Sequence, residues 1–191
     1  MAGRFAKLIG KAILPRRRRC FARDESGVTA VEFGLLALPF FSIIGAIIET
    51  SLVFLSGQIL DSSVQDISRL IRTGQAQEAN ISAAGFKQRI CDRLHGLFAN
   101  CNALHVEVRV LNSFTTANMA APVNLTTCTA ASCAWTRPES YNLGQGSSIV
   151  LVQVYYRWPV VLNLGDLTLA NLPDGSRLLG AATVFRNEPF T

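Results

Sequence analysis

The amino-acid sequence predicts an α+β protein: one long N-terminal helix, transmembrane at first and amphipathic afterwards, precedes a small domain with a second helix and an antiparallel sheet. Three observations lead to this prediction. An uncharged run of sixteen residues occupies positions 33–48, apolar residues recur at helical spacing beyond Leu55, and β-type patterns follow in the second half of the chain. A chain of 191 residues is long enough for one ordinary domain with an appended segment, and hardly long enough for two.

The positive charge of the chain is concentrated before the apolar run. The sequence has 18 Lys and Arg against 13 Asp and Glu, a net charge of +5, but residues 28–191 hold ten basic and eleven acidic side chains. A nucleic-acid surface on the folded part is therefore not expected. By composition the arginine run at 16–19 also fits a nucleic-acid or nuclear-import patch. A basic cluster ahead of an apolar run is more simply interpreted as a cytoplasmic retention signal.

Residues 28–55 are predicted to cross a membrane. Extending the uncharged run to Val28 and Leu55 adds only Glu32 and Glu49 as charged residues. A helix that rises ~1.5 Å per residue needs about 20 residues to cross a ~30 Å hydrocarbon core. The basic residues before the span predict a cytoplasmic N-terminus. The alternatives are a buried helix of a soluble protein and a cleavable secretory signal, which has a shorter apolar region and a small-residue cleavage site.

Two acids and one proline inside this span need a physical account. A carboxylate within a bilayer usually faces protein or has a partner. Glu32 is placed at the cytoplasmic edge of the span. Glu49 is placed near the outer edge, where it either reaches the interface or contacts a neighbouring helix. Pro39 lacks a backbone donor and is expected to weaken or kink the helix.

The junction between the basic tail and the span carries a recognisable motif. Residues 24–33 read DESGVTAVEF. They resemble the processing site of type IV pilins of the Tad/Flp kind, where a prepilin peptidase cuts after a Gly and the mature chain has Glu, then Phe or Tyr, at its fifth and sixth positions. On this resemblance the cut falls between Gly27 and Val28, and Glu32 and Phe33 become the fifth and sixth mature residues.

The wider segment 24–74 is similar specifically to TadE/TadG-like minor pilins. The similarity rests on the G-x-x-A-V-E-F block, the Leu-Pro pair at 38–39 and the RLIRTG ending at 69–74, and more weakly on the RNEPF near the C-terminus. It implies a minor pilin or pseudopilin that takes part in assembling an adhesion pilus. It also implies three segments, namely a basic cytoplasmic leader at 1–27, the transmembrane helix at 28–55 and a pilin-like periplasmic domain at 56–191.

The partners and location follow from the same resemblance. The implied partners are the prepilin peptidase, other pilins and Tad assembly proteins, in addition to membrane lipid. The protein is expected in a bacterial inner membrane with its C-terminal domain in the periplasm, or in the extracellular pilus after maturation. Two other hypotheses remain. One is an uncleaved single-pass anchor whose periplasmic domain binds envelope or secretion machinery, and the other is a membrane-tethered periplasmic hydrolase.

The predicted processing site has a chemical logic of its own. Gly27 has no side chain, so the backbone at this position extends into a protease cleft with little steric hindrance. Cleavage frees the α-amine of Val28, which lies four residues from Glu32. At that spacing the ammonium and the carboxylate neutralise each other or the corresponding groups of the next subunit. The competing interpretation is that Glu32 is a solvated acid at the membrane surface.

Beyond Leu55 the pattern predicts two helical segments. Apolar residues at helical spacing continue the first helix as an amphipathic extension, which is expected to stop at Gly74. A second helix is predicted over residues 81–98, where six apolar residues favour one side.

Three strands are predicted after the second helix. Alternation over residues 104–110 predicts a strand with one wet face, on which His105 would lie. The apolar run 149–158 predicts a central strand, and residues 181–186 are the third candidate. Loops and turns are predicted at 112–148 and 159–179.

Four of the five cysteines fall on the outer side of the span, where disulfides persist. They are Cys91, Cys101, Cys128 and Cys133, whereas Cys20 in the tail is expected to remain a thiol. Four cysteines allow three connectivities, of which local pairing of the first two and of the last two is the simplest. A zinc site is the alternative, although no C-x-x-C pair occurs and His95 and His105 are the only histidines.

Catalysis, a cofactor and a bound metal are not expected. No G-x-S-x-G elbow, H-E-x-x-H motif or P-loop occurs in the sequence. Gly144 and Gly146 precede a predicted strand, and a flexible turn accounts for them. Acids such as Glu107 and Glu139 form no visible pair. We therefore predict a non-enzymatic protein.

Overall fold

The computed structural model describes residues 27–94, 96–164 and 167–190. The chain divides into two units, the first ending at Ser42 and the second starting at Ile43. Residues 1–26 of the predicted leader, with the arginine run and Cys20, lie outside the described residues. His95 also lies outside them. The predicted α+β class, with a long apolar N-terminal helix, is confirmed.

Helix α1 (Val28–Arg72) contains both the predicted span and its amphipathic continuation. Within the described ranges it is the one helix long and apolar enough to cross a membrane, with a mean hydropathy of 2.2 over its most apolar window. The helix includes Pro39. Its later turns bury one apolar stripe, formed by Leu60, Val64, Ile67 and Ile71. The helix therefore changes along its length from apolar and exposed to amphipathic and half-buried.

The C-terminal end of α1 lies where the sequence predicts it. Gly74 has a φ of 81°, in the left-handed region that glycine adopts without strain. Its N–H donates to the carbonyl of Ile71 at 3.1 Å. A short helix α2 (Gln75–Glu78), which the sequence pattern did not predict, follows directly.

Helix α3 (Ala83–Arg93) is shorter than the predicted segment 81–98. It begins after Ser82, whose hydroxyl oxygen accepts the N–H of Gly85 at 3.1 Å and caps the helix. Gly96 follows in the left-handed region with a φ of 71°, which interrupts the helical path. Phe98 is still buried, but it reaches the core from the turn and not from the helix.

The strands are β1 (His105–Leu111), β2 (Ser140–Tyr141), β3 (Ile149–Pro159), β4 (Asn163–Leu164), β5 (Leu167–Thr168) and β6 (Ser176–Arg186). Four of them form the main sheet, in the order β2-β1-β3-β6. Strand β3 pairs antiparallel with both of its neighbours, whereas β2 runs parallel to β1, so the sheet is mixed and not antiparallel throughout. Strands β4 and β5 pair antiparallel as a separate two-stranded sheet.

Strand β6 begins earlier than its predicted start at 181. Its pairing with β3 is continuous, from Ser176 opposite Pro159 to Arg186 opposite Ile149. The turn before it is tight, because the Asp174 carboxylate accepts the Ser176 N–H at 2.9 Å and Gly175 has a φ of 79°. The prediction of turns over 159–179 is thus wrong for residues 176–179. These residues pair with the long strand β3 and belong to the sheet.

One face of the sheet packs against the helices. It contributes Val106 and Val108 from β1 and alternate valines of β3 to a core that also holds Phe86 and Ile90 of α3. The opposite face carries His105, which was predicted to be wet. That prediction is wrong, because His105 is 4% exposed and Glu107 is 1% exposed. Side chains from the connection between β1 and β2 cover them.

Candidate functional site

The predicted processing site lies at the first turn of α1. Gly27 precedes the helix, and the side chains of Val28, Glu32 and Phe33 are exposed. A Cβ at Gly27 would meet no described atom within 4 Å, and its φ is not in the left-handed region. No contact of the described fold therefore requires glycine at this position.

The apolar part of α1 leaves large side chains uncovered. None of its most apolar window is buried. The exposed set comprises Val28, Val31, Phe33, Leu35, Leu36, Leu38, Phe40, Phe41, Ile43, Ile44, Ile47, Ile48, Leu52, Phe54 and Leu55. An apolar patch of this extent on a monomer marks a surface that contacts lipid or another protein.

Glu49 has a partner within its own chain. The side chain is 8% exposed. One carboxylate oxygen accepts the backbone N–H of Val161 at 2.5 Å, and both oxygens accept that of Leu162 at 3.1 Å. The sequence-based interpretations were that Glu49 reaches the interface or contacts a neighbouring helix; the structure adds a partner in the same chain, which neither interpretation included. The carboxylate holds the loop after β3 against α1.

The end of α1 and the C-terminal tail meet. The backbone N–H of Glu188 donates to the carbonyl of Arg72 at 2.8 Å, and an exposed ion pair joins their side chains at 3.6 Å. A Cβ at Gly74 would lie 2.8 Å from the Phe190 ring. The two segments named for their family resemblance, RLIRTG and RNEPF, are therefore neighbours in space.

A buried polar network fills the outer face of the sheet. The Glu107 carboxylate accepts from Arg137 Nε at 3.0 Å and from Arg137 Nη2 at 3.1 Å. Arg109 Nη2 lies 3.4 Å from the same carboxylate and donates to Gln153 Oε1 at 2.9 Å. Hydrogen bonding to Glu107 raises the pKa of Arg137 above its usual value. The two guanidinium groups neutralise a carboxylate that is otherwise costly to bury.

His105 lies at the edge of this network. Its ring stacks on Trp135 with centroids 4.4 Å apart, and its Nε2 lies 3.3 Å from Glu107 Oε1. Burial lowers the pKa of His105 below its usual value, although Glu107 and Glu139 oppose the shift. The guanidinium group of Arg157 also lies over the Trp135 ring, 4.4 Å from the ring centroid. The contacts clamp the connection between β1 and β2 onto the sheet.

An open cleft of about 570 Å³ lies beside His105. Two of its charged lining residues, Lys87 and Glu139, are paired with each other at 3.0 Å, and a third, Arg137, donates to Glu107. Glu107 is occupied by guanidinium donors, so it offers no free carboxylate for proton transfer. The described residues contain no group of three or more His, Cys, Asp or Glu side chains able to hold a metal ion.

The four cysteines of the second unit form two local disulfides. Cys91 is bonded to Cys101, with Cα atoms 5.9 Å apart, and Cys128 to Cys133, with Cα atoms 4.4 Å apart. The first bond ties α3 to the turn before β1. The second closes a small loop within the connection that covers the polar network.

Sequence reasoning missed the Glu107 network, but two signals for it were present. Polar residues alternate on β1 and again on β3, where Gln153 pairs opposite Glu107. Both strands therefore carry polar side chains on the same face. The connection that follows β1 is long and contains Trp135 and Arg137, which are suited to covering such a face.

Residues 27–69 match the family model described as TadE-like protein. The predicted resemblance is confirmed over this segment, which starts at Gly27 and ends within the amphipathic part of α1. Comparisons with curated proteins and with solved structures gave no match.

Proposed function

We propose that this protein is a minor pilin, or pseudopilin, of a Tad-type pilus, matured by a prepilin peptidase that cuts between Gly27 and Val28. The TadE-like segment indicates involvement in the Tad pilus system. One observation supports the proposed pilin role and the cut after Gly27. The TadE-like segment begins at Gly27, directly before the exposed apolar turns of α1. The TadE-like family is not known for an enzymatic activity, and the proposed role is structural.

The apolar helix is consistent with single-pass membrane anchoring. In the proposed arrangement the N-terminus is cytoplasmic and the second unit is periplasmic, because the basic residues precede the span. The proposed partners are the prepilin peptidase, membrane lipid, other pilins and the assembly proteins of the pilus.

The proposed assembly uses the exposed surface of α1. In the membrane its apolar side chains contact lipid, and in the fibre they contact the helices of neighbouring subunits. Cleavage creates an ammonium group at Val28, which the Glu32 carboxylate of the same or the next subunit neutralises. Both residues are exposed, which leaves them accessible to a second subunit. A folded second unit with two disulfides suits a component that initiates, caps or tunes the fibre.

The test is the N-terminus of the protein extracted from membranes of a cell with the pilus system. Mass spectrometry is expected to find Val28 first in the mature form and the 27-residue leader removed. Gly27→Leu places a bulky side chain at the cut and should leave the precursor uncut. Gly34→Leu is a matched control, since a Cβ at Gly34 would likewise meet no described atom within 4 Å.

Two outcomes contradict the processing step. A Gly27→Leu variant that matures at the wild-type rate places the cut elsewhere. An N-terminus at Met1 in the wild-type protein favours the alternative, an uncleaved single-pass anchor whose outer part binds envelope or secretion machinery.

A further inference from the structure

The loop at residues 160–162, directly after β3, lies against the apolar part of α1. Its backbone N–H groups at Val161 and Leu162 donate to the Glu49 carboxylate. The side chain of Leu162 approaches the same helix one turn earlier, because a Cβ at Gly45 would lie 2.9 Å from Leu162 Cδ1. The loop is therefore fixed to α1 at positions 45–49.

These helix positions are surrounded by exposed apolar side chains. Ile47 and Ile48 are exposed beside the contact, and Phe54 and Leu55 are exposed further along the helix. Five residues of α-helix correspond to about 7.5 Å. The apolar band of α1 thus continues beyond Glu49, and the loop lies alongside that band and not past its end.

The chemistry of the loop fits a lipid environment. Residues 158–165 contain no charged side chain. Val161 is 85% exposed, more than any large apolar side chain on α1, of which Leu38 at 73% is the most exposed. An isolated apolar side chain at a loop tip is solvated by hydrocarbon more favourably than by water.

The Glu49 contact lowers two costs of placing this loop beside lipid, because it satisfies two backbone N–H groups and one carboxylate. Irregular backbone that is exposed to lipid does not occur within the hydrocarbon core, so such a loop is expected at the outer boundary of that core, where water reaches its remaining backbone groups. A carboxylate at that depth likewise needs a partner. Here the carboxylate and the two backbone N–H groups satisfy one another within a single chain.

We propose that the 160–162 loop inserts into the outer leaflet of the membrane as a second lipid contact beside α1. The inference rests on the proposed membrane anchoring by α1. The partner is the lipid surface, and Glu49 is the acceptor that holds the loop in place. The alternative is that the same loop contacts a second pilin subunit. The experiment below distinguishes this contact from contact with lipid.

The experiment measures depth with a nitroxide label on single cysteines. The full mature chain carrying Val161→Cys is labelled and reconstituted, at low density, into vesicles of phosphatidylethanolamine and phosphatidylglycerol in equal amounts. Collision rates with oxygen and with a water-soluble nickel chelate report whether the label is in lipid or in water. Leu36→Cys on α1 is the control for the span, and Met119→Cys, an exposed apolar residue of the connection that covers the sheet, is the aqueous control.

The Val161 label is expected to show the oxygen preference of the Leu36 label and not the nickel preference of the Met119 label. If Leu36 is in lipid while Val161 behaves as Met119 does, the loop proposal is overturned and the anchoring stands. If the Leu36 label is itself aqueous, the anchoring and the loop proposal both fail. A Val161 label protected from both reagents indicates burial against another subunit, which also overturns the lipid assignment.

A second variant tests the role of Glu49. Glu49→Ala removes the acceptor of both loop N–H groups, so the Val161 label should shift toward the aqueous control. Asp61→Ala removes a carboxylate on α1 that accepts a hydrogen bond from nearby Gln65 and should cause no shift. An unchanged Val161 depth in Glu49→Ala would overturn the assignment of Glu49 as the group that holds the loop.

Discussion

The apolar part of α1 and the outer face of the sheet depart from the usual distribution of side chains in opposite directions. On α1, large side chains such as Phe33 and Phe54 are exposed. On the sheet, His105, Glu107 and Gln153 are buried. In a soluble domain the apolar side chains are buried and the charged ones are exposed. The exposed apolar side chains of α1 and the buried polar side chains of the sheet therefore each require binding partners.

The two regions find their partners by different means. The buried carboxylate of the polar face finds its partners within the chain, because the guanidinium groups of Arg137 and Arg109 lie against Glu107. The apolar surface of α1 has no such cover in its own most apolar window. The comparison indicates that the polar groups of the sheet face bind one another, whereas the apolar surface of α1 is suited to lipid or to other helices.

The largest effect is expected when α1 loses the charge of Glu32, which the proposed assembly requires. On the proposed function, Glu32→Gln keeps the shape of the side chain and removes the charge that pairs with the Val28 ammonium. The fraction of mature protein in sheared surface fibres should fall about a hundredfold, while membrane insertion persists. Glu78→Gln, at an exposed acid of α2, is the control and should leave the fraction unchanged. Normal piliation with the Glu32 variant would leave Glu32 as a surface acid of the helix.

The next largest effect is expected on the free energy of unfolding, when the buried carboxylate of the polar sheet face is removed. Glu107→Gln leaves Arg137 and Arg109 without their carboxylate and should lower the free energy of unfolding by about 3 kcal/mol. Asp66→Asn removes only an exposed ion pair with Arg93 and should change it by less than about 1 kcal/mol. Guanidinium unfolding of the detergent-solubilised protein, followed by tryptophan fluorescence, measures both. Equal losses in the two variants would show that the buried network does not stabilise the fold.

A smaller effect concerns the disulfide within the covering connection. Replacing Cys128 and Cys133 together by Ser removes a short loop closure, worth about 2 kcal/mol by chain entropy. The same unfolding experiment checks this value, and thiol labelling of the native protein without reductant should find none of the four outer cysteines reactive. Four reactive thiols in the exported protein would contradict the disulfide arrangement.

The smallest effect is a dependence of stability on pH. Because burial lowers the folded pKa of His105 below 6.5, the unfolded chain binds the proton more readily. The stabilisation is present above the unfolded pKa and is lost as the pH falls through the folded pKa. Unfolding midpoints at about pH 7.5 and about pH 5.5 should therefore differ more in the wild type than in His105→Gln. An identical pH dependence in both proteins would remove His105 as its cause.

Much of the fold was predictable because it follows from local patterns. The uncharged run predicts the first part of α1, Gly74 predicts its end, and the apolar run of β3 predicts the central strand. These features depend on neighbouring residues in the chain. The TadE-like junction at Gly27 is likewise a local motif, which the family match covers.

The remainder depended on contacts between residues distant in sequence. A strand with alternating polar residues has one wet face only if nothing covers it, and here Trp135 and Arg137 cover His105 and Glu107. A solvent-exposed polar face and a covered polar face give the same sequence pattern in β1. The pattern therefore does not show which of the two forms.

The helix that is suited to a membrane, the motif at its start and the periodicity of the strands can all be predicted from the amino-acid order, because each depends on spacing along the chain. Which polar groups are buried, and which groups bond to them, depends on long-range packing. Glu49 is the clearest case, since its partners are the N–H groups of Val161 and Leu162, more than a hundred residues away. Backbone N–H groups are the same in every residue but proline, so no side-chain pattern marks the ones that a distant carboxylate will find.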